Sequence, residues 1–242
     1  MTGLTERKSE AGFTLVELAI VMIIIGLLIG GILKGQELVA NAQVTATIAQ
    51  IKGIDGALST FRDKYSALPG DMNNPGDRLR DCAGDCDTDG DRNGRIDEPG
   101  LGLAPGPADE GLVAFRHMAA ADLITGVQID GEEFFGEALP EAKMGGGFWL
   151  GFTADGQAEE IAAAEVMRAG HYLVYNGVVE DVGEDAGITA AQAGQVDRKM
   201  DDGDPVGGST RAPDSNGCRN ANDNYNENDD GAACSLYIRV QG

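Results

Sequence analysis

Residues 13–33 read FTLVELAIVMIIIGLLIGGIL, an apolar run with one charged side chain, Glu17. At about 1.5 Å per residue, a helix of this length covers roughly 31 Å, enough to cross the hydrocarbon core of a bilayer. Arg7 and Lys8 precede it and favour a cytoplasmic N-terminus, although Glu6 and Glu10 offset them and Lys34 lies on the other flank. A secretory signal peptide carries its cleavage site after the apolar run, at small residues. Here the helical pattern continues instead, and a glycine, Gly12, stands before the run. A carboxylate at Glu17 costs about 2.5–3.5 kcal/mol in lipid on insertion scales, so it needs a partner.

Beyond Lys34 the apolar residues Val44, Ile48, Ile51, Ile54, Ala57, Leu58, Phe61 and Tyr65 recur at helical spacing. Gln43, Gln50, Lys52, Asp55 and Arg62 lie between them. This predicts an amphipathic continuation that packs against the rest of the chain and ends at Pro69-Gly70. One helix from residue 13 to about 64 would be roughly 78 Å long. Two helices parted near Gly35 suit the same residues, because Gly26, Gly30, Gly31 and Gly35 each weaken a helix by about 1 kcal/mol relative to Ala. The spacings Gly26-x3-Gly30 and Gly31-x3-Gly35 also allow close helix packing.

Downstream the composition changes to Gly, Asp and Asn. The net charge is −22, from 40 acidic and 18 basic residues. Such a surface repels phosphates and argues against direct nucleic-acid binding; it suits a solvated surface outside the cell, or a binder of cations. Apolar runs bounded by glycine at 148–152, 171–179 and 235–240 predict strands. Residues 110–124, with Leu112, Phe115, Met118 and Leu123 on one face, predict a short helix. Thr189 followed by Gln192 forms a capping box that opens another helix, reaching about Met200. The fold class is α+β: a long N-terminal spine helix, half membrane-inserted and half amphipathic, packed on a small antiparallel sheet with long acidic loops.

The cysteines fall into two local pairs, Cys82 with Cys86 and Cys218 with Cys234, and an even count in an exported domain favours two disulfides. The competing use of Cys82 and Cys86, a zinc site, lacks a nearby histidine: His117 and His171 are both distant in sequence. Immediately after Cys86, alternate residues carry oxygen side chains. Read from Asp89, the segment matches an EF-hand loop at positions one, three and five (Asp89, Asp91, Asn93), with Gly94 at six, the Arg95 carbonyl at seven and Asp97 at nine. Position twelve is Gly100, so Glu98 has to substitute for the usual bidentate Glu, and Pro99 leaves no flanking helix. Candidate calcium ligands are therefore Asp87, Asp89, Asp91, Asn93, Arg95, Asp97 and Glu98, against the alternative of a solvated acidic loop.

Residues 11–18, AGFTLVEL, resemble the cleavage and methylation signal of type IV prepilins and type II secretion pseudopilins. The resemblance implies that a prepilin peptidase cuts between Gly12 and Phe13 and that Phe13 becomes N-methylated. It also implies that Glu17 pairs with the N-terminal ammonium of a neighbouring subunit, so that two charges costly in lipid neutralise each other. Two features depart from the family: the leader is net neutral rather than basic, and no proline lies between Phe13 and Leu68, where many type IV pilins have one. Residues 66–73, SALPGDMN, and residues 189–205 resemble segments found in a subset of pilin-like proteins, and the 218–234 region resembles their disulfide-bounded C-terminal loop.

The implied organisation is a leader at 1–12, a transmembrane and assembly helix at 13–34, its amphipathic continuation at 35–68, and a periplasmic or extracellular head at 69–242. The implied role is a structural, minor subunit of a pilus or secretion pseudopilus. It is made as a single-pass inner-membrane protein, and its partners are other pilin or pseudopilin subunits, the prepilin peptidase and methyltransferase, and the inner-membrane assembly machinery. Alternatives are a tip subunit that binds a ligand through the 218–234 loop, and a membrane-tethered enzyme. Against the enzyme, there is no Gly-x-Ser-x-Gly, and neither histidine lies near a promising nucleophile.

Overall fold

The computed structural model describes residues 14–162, 165–182, 187–229, 231 and 233–241. The elements run α1 (Leu15–Tyr65), α2 (Pro75–Arg78), a 3-10 turn (Gly84–Asp87), α3 (Glu110–Ala120), β1 (Gly147–Thr153), β2 (Gly170–Asn176), β3 (Ile188–Thr189), α4 (Ala190–Met200), β4 (Thr210–Arg211), β5 (Ala233–Cys234) and β6 (Leu236–Arg239). This is the α+β class expected. The chain divides into two units at Ala42–Gln43.

In the first unit, α1 passes Gly26, Gly30, Gly31 and Gly35 without interruption, so of the two arrangements the sequence allowed it adopts the single helix. From Leu15 to Val39 its large apolar side chains are exposed, and the helix is long and apolar enough to cross a membrane. In the second unit the same helix turns amphipathic: Val44, Ile48, Ile51, Ile54, Ala57, Leu58 and Phe61 are buried, as their spacing predicts, together with Thr47. Tyr65 is only partly buried, its ring 4.6 Å from that of Phe61. The helix stops where Ser66 takes a left-handed φ of 54°.

The main sheet is antiparallel, with strand order β1-β2-β6-β4. Phe148 faces Tyr175, Leu150 faces Leu173, and Val174 faces Tyr237. Nearly every residue of β1 and β2 is buried, which is why these segments read as unbroken apolar runs rather than alternating ones. A two-stranded ladder joins β3 to β5. Helix α3 packs on β1, and Gly111 makes the approach possible, because a methyl group there would overlap the Leu150 carbonyl oxygen. The capping box of α4 is complete: Gln192 N–H donates to Thr189 Oγ1 at 3.2 Å, and Thr189 N–H donates to Gln192 Oε1 at 3.1 Å.

Three boundaries differ from the sequence reading. The helix expected over 110–124 ends at Ala120, two residues before Asp122 adopts a left-handed φ of 59°. The strand expected to reach 179 ends at Asn176, whose side-chain amide donates to the Val178 and Glu180 carbonyls and turns the chain. The strand expected over 235–240 is Leu236–Arg239, and Ser235 before it is a break between β5 and β6, its hydroxyl donating to Asn176 Oδ1 at 2.6 Å.

Candidate functional site

Gly12 and Phe13 lie outside the described residues, so the site at the N-terminus begins at Thr14. Thr14 caps α1: Glu17 N–H donates to Thr14 Oγ1 at 3.3 Å, and the Glu17 carboxylate accepts from Thr14 N–H at 2.8 Å and from its hydroxyl at 2.7 Å. Thr14-Leu15-Val16-Glu17 is thus a capping box, hidden in the sequence under the apolar run. Glu17 closes the helix N-terminus, where the exposed N–H groups also favour a negative charge.

A second cluster forms in the head. The Cys82–Cys86 disulfide, Cα–Cα 5.2 Å, and the 3-10 turn start the acidic segment. Asp87 Oδ1 accepts from Gly76 N–H at 2.7 Å, and Asp89 Oδ1 accepts from Asn74 N–H, so these two carboxylates close the start of α2. Asp91, Asn93 and Asp97 come together: the Asn93 amide donates to Asp91 Oδ2 at 2.9 Å and to the Asp97 carboxylate at 3.2 Å. The Arg95 guanidinium lies over the Phe152 ring, 5.0 Å from its centroid. Glu98 is exposed, while its carbonyl accepts from Gly111 N–H at 3.0 Å.

Two residues the sequence pattern left out complete this cluster. Asp71, from the Pro-Gly-Asp turn after α1, and Glu110, at the start of α3, converge with Asp91, each offering a carboxylate oxygen within 4.8 Å of the others. Asp71 and Glu110 are buried, at 4% and 5% exposure. Burial raises the Asp71 carboxyl above its usual range, although the Gly94 N–H bond opposes it. Burial pushes Glu110 up to about 7, with Asp71 and Asp91 adding to the rise.

The neighbouring His117 is a structural group. Its Nδ1 accepts from Gly70 N–H at 2.9 Å and its Nε2 lies 2.9 Å from the Cys86 carbonyl, so the ring is neutral with the proton on Nε2. Burial lowers it to about 4. An unfolded histidine takes up its proton near 6.5, so this contribution to stability is full above about 6.5 and is lost as pH falls through 4, up to roughly 3 kcal/mol. Asp197, raised by burial to about 6, and Glu110 act in the opposite sense, since each favours the folded state as pH falls. His117→Gln is therefore expected to cost most at neutral pH, with its deficit against the parent chain shrinking between about 6.5 and 4. Urea titrations read by Trp149, the single tryptophan and a buried one, measure this; a deficit constant with pH would refute it.

Arg116 is a strut the sequence did not reveal. Fully buried, it donates to the Pro107 carbonyl at 2.8 Å and the Gly131 carbonyl at 2.9 Å, with Asp85 at 3.5 Å. It lies on the face of α3 between apolar residues, where charge alone suggests solvent.

The second disulfide, Cys218–Cys234 at Cα–Cα 5.0 Å, closes the C-terminal loop, so both expected pairs are formed. His117 does lie near Cys82 and Cys86, but their sulfurs are bonded to each other. Tyr225 anchors the C-terminal loop by donating to Asp197 Oδ2 at 3.0 Å, and Asn222, Asp223, Asn224, Glu227 and Asp229 around it are exposed.

Among known proteins, the prokaryotic N-terminal methylation motif matches residues 7–33. Neither characterised proteins nor solved structures give a match to the chain. The matched residues span the Gly12–Phe13 junction, the Thr14–Glu17 cap and the apolar part of α1. Over them the chain carries a prepilin-type methylation signal and is similar to type IV pilins and pseudopilins.

Proposed function

We propose that the chain is a structural subunit of a type IV pilus or type II secretion pseudopilus, cut between Gly12 and Phe13, N-methylated at Phe13 and assembled through α1. The observation that carries this reading is a coincidence of position. From Leu15 onward the methylation motif at 7–33 coincides with a helix whose apolar side chains from Leu15 to Val39 are exposed and whose one acid in that stretch up to Leu33 sits in the first turn. Before assembly, lipid covers this surface and the subunit is a single-pass inner-membrane protein with its head outside. In a filament, α1 of neighbouring subunits covers it, and the glycines at 26, 30, 31 and 35 let helix backbones come close. The partners are other pilin or pseudopilin subunits, the prepilin peptidase and methyltransferase, and the assembly machinery of the inner membrane. A net charge of −22 speaks against direct contact with nucleic acid.

The test is intact-mass and N-terminal analysis of the protein from membranes with and without prepilin peptidase. A chain that starts at Phe13 with one added methyl group, only when the peptidase is present, is the expected result. A chain that keeps Met1, or one cut after Leu33, would overturn the reading.

A further inference from the structure

We propose that Asp71, Asp91 and Glu110 form a binding site for one hard divalent cation, calcium, which ties the turn after α1, the acidic loop and α3 together. The inference is independent of how α1 assembles. The three residues are separated in sequence and are delivered by three different segments, yet their carboxylate oxygens lie within 4.8 Å of one another. Calcium binds oxygens at 2.3–2.6 Å, so two ligands of one ion stand at most about 5 Å apart, and the cluster fits a single ion.

The second observation is a buried oxygen left over. Asp71 is 4% exposed, and its Oδ2 accepts from Gly94 N–H at 2.9 Å; the Arg92 and Asn93 N–H groups also face the carboxylate, yet no donor meets Oδ1 at hydrogen-bonding geometry. A buried, unpaired carboxylate oxygen is costly unless a donor or a cation meets it. The surrounding backbone has already been used to hold the ligands in place. Asp91 N–H donates to Glu110 Oε1 at 3.3 Å, and Asp97 N–H donates to Glu110 Oε2 at 3.2 Å. Gly90 N–H reaches the Met72 carbonyl at 2.9 Å, drawing the loop against Asp71 so closely that any side chain at Gly90 would overlap the Asp71 backbone. These bonds fix the Glu110 carboxylate and draw the loop to Asp71, Asn93 holds both Asp91 oxygens at 2.9 Å, and the three like charges are left close together, an arrangement a dication neutralises.

An all-oxygen donor set selects a hard cation. Calcium fits better than magnesium, because its coordination is flexible and it sheds water more readily, whereas the Asp71 oxygen is reached only by a partly dehydrated ion. Asp91 is exposed, which opens the cluster to solvent. The site differs from the local EF-hand-like set: Asp87 and Asp89 are occupied at the start of α2, and Asp91 crosses to residues before and after the loop.

The experiment is calcium titration of the full-length protein in detergent, with thermal unfolding followed by Trp149 fluorescence and binding by calorimetry, against a chelator control. We expect one saturable ion at this site, with Kd on the order of 10⁻⁴–10⁻³ M, as in extracellular modules. Asp71→Asn should weaken it by more than about 100-fold, beyond the loss typical of a residue that only supports a ligand. In chelator, the same variant should melt at or above the temperature of the parent chain, because the new amide can donate where Oδ1 is orphaned; with calcium the order should reverse. Glu110→Gln serves as a second ligand variant and should show the same loss of binding. Asp89→Asn should lower the melting temperature equally with and without calcium. The site is refuted if Asp71→Asn and Glu110→Gln keep the parent response, or if Asp89→Asn alone abolishes it. An equal response to magnesium overturns the assignment to calcium.

Discussion

Glu17→Gln is expected to reach the membrane and lose its leader normally, yet to be all but absent from filaments. Glutamine is the other residue that completes a capping box, so Thr14 keeps its partner and α1 keeps its first turn. Hydrophobic insertion is helped rather than hindered, because a carboxylate in lipid costs about 2.5–3.5 kcal/mol and an amide costs less. On the proposed assembly, what the variant lacks is the charge that would meet the N-terminal ammonium of the adjacent subunit. Removing one member of a buried ion pair leaves the other uncompensated, at about 3–5 kcal/mol. At about 1.4 kcal/mol per factor of ten, that is roughly 10² to a few times 10³-fold at each subunit contact. Filaments sheared from cells and quantified by mass spectrometry against the membrane pool measure it. Parent-level incorporation would show that Glu17 acts through its cap and not its charge.

Gly70→Ala should remove a large share of the head's stability, about 2–6 kcal/mol. Two costs add. Gly70 has φ +86°, where a side chain is strained by about 1–3 kcal/mol, and its Cβ would stand 2.5 Å from the Glu110 carbonyl oxygen, a backbone atom whose displacement costs about 1–3 kcal/mol more. The displaced atoms matter twice over, since Gly70 N–H is the donor that fixes His117, and Asp71 is the next residue. Gly126→Ala is the matched control: φ is +82° there too, but nothing lies within 4 Å of the added methyl, so only the conformational cost applies. Denaturant unfolding of both variants separates the terms. Equal losses would mean that the turn relaxes away from α3.

The fold was legible where one period persists over many residues. Val44 to Phe61 supplied five helical turns of consistent spacing, and the structure buries that face. The apolar runs of β1 and β2 were legible because both faces of those strands are covered. The β3–β5 ladder and β4 were not, since two residues carry no period, and such pairs are fixed by the segments around them. At the site, a pattern reading finds ligands that are close in sequence, and so it found the alternating acids after Cys86. It could not find Asp71 and Glu110, which reach Asp91 only because the spine ends in a turn and α3 starts beside it. Two signals were present: an acid in a Pro-Gly-Asp turn, and an acid at the start of a helix whose remaining residues are mostly buried. The Thr14–Glu17 cap is hard to read for a different reason: a Thr and a Glu three apart inside a long apolar run look like interruptions of a membrane helix rather than its start.

The strand order has a consequence in time. Residues 236–239 lie between β2 and β4, so the middle of the sheet comes from the segment that a chain emerging from its N-terminus delivers after all the other strands. Until β6 arrives, β1 and β2 have α3 and the spine to pack on but lack a third strand, and a two-stranded hairpin contributes little stability by itself. On the export route proposed above, the head's sheet would therefore stay incomplete for as long as the chain is being delivered, and it closes only when the finishing strand adds to β2.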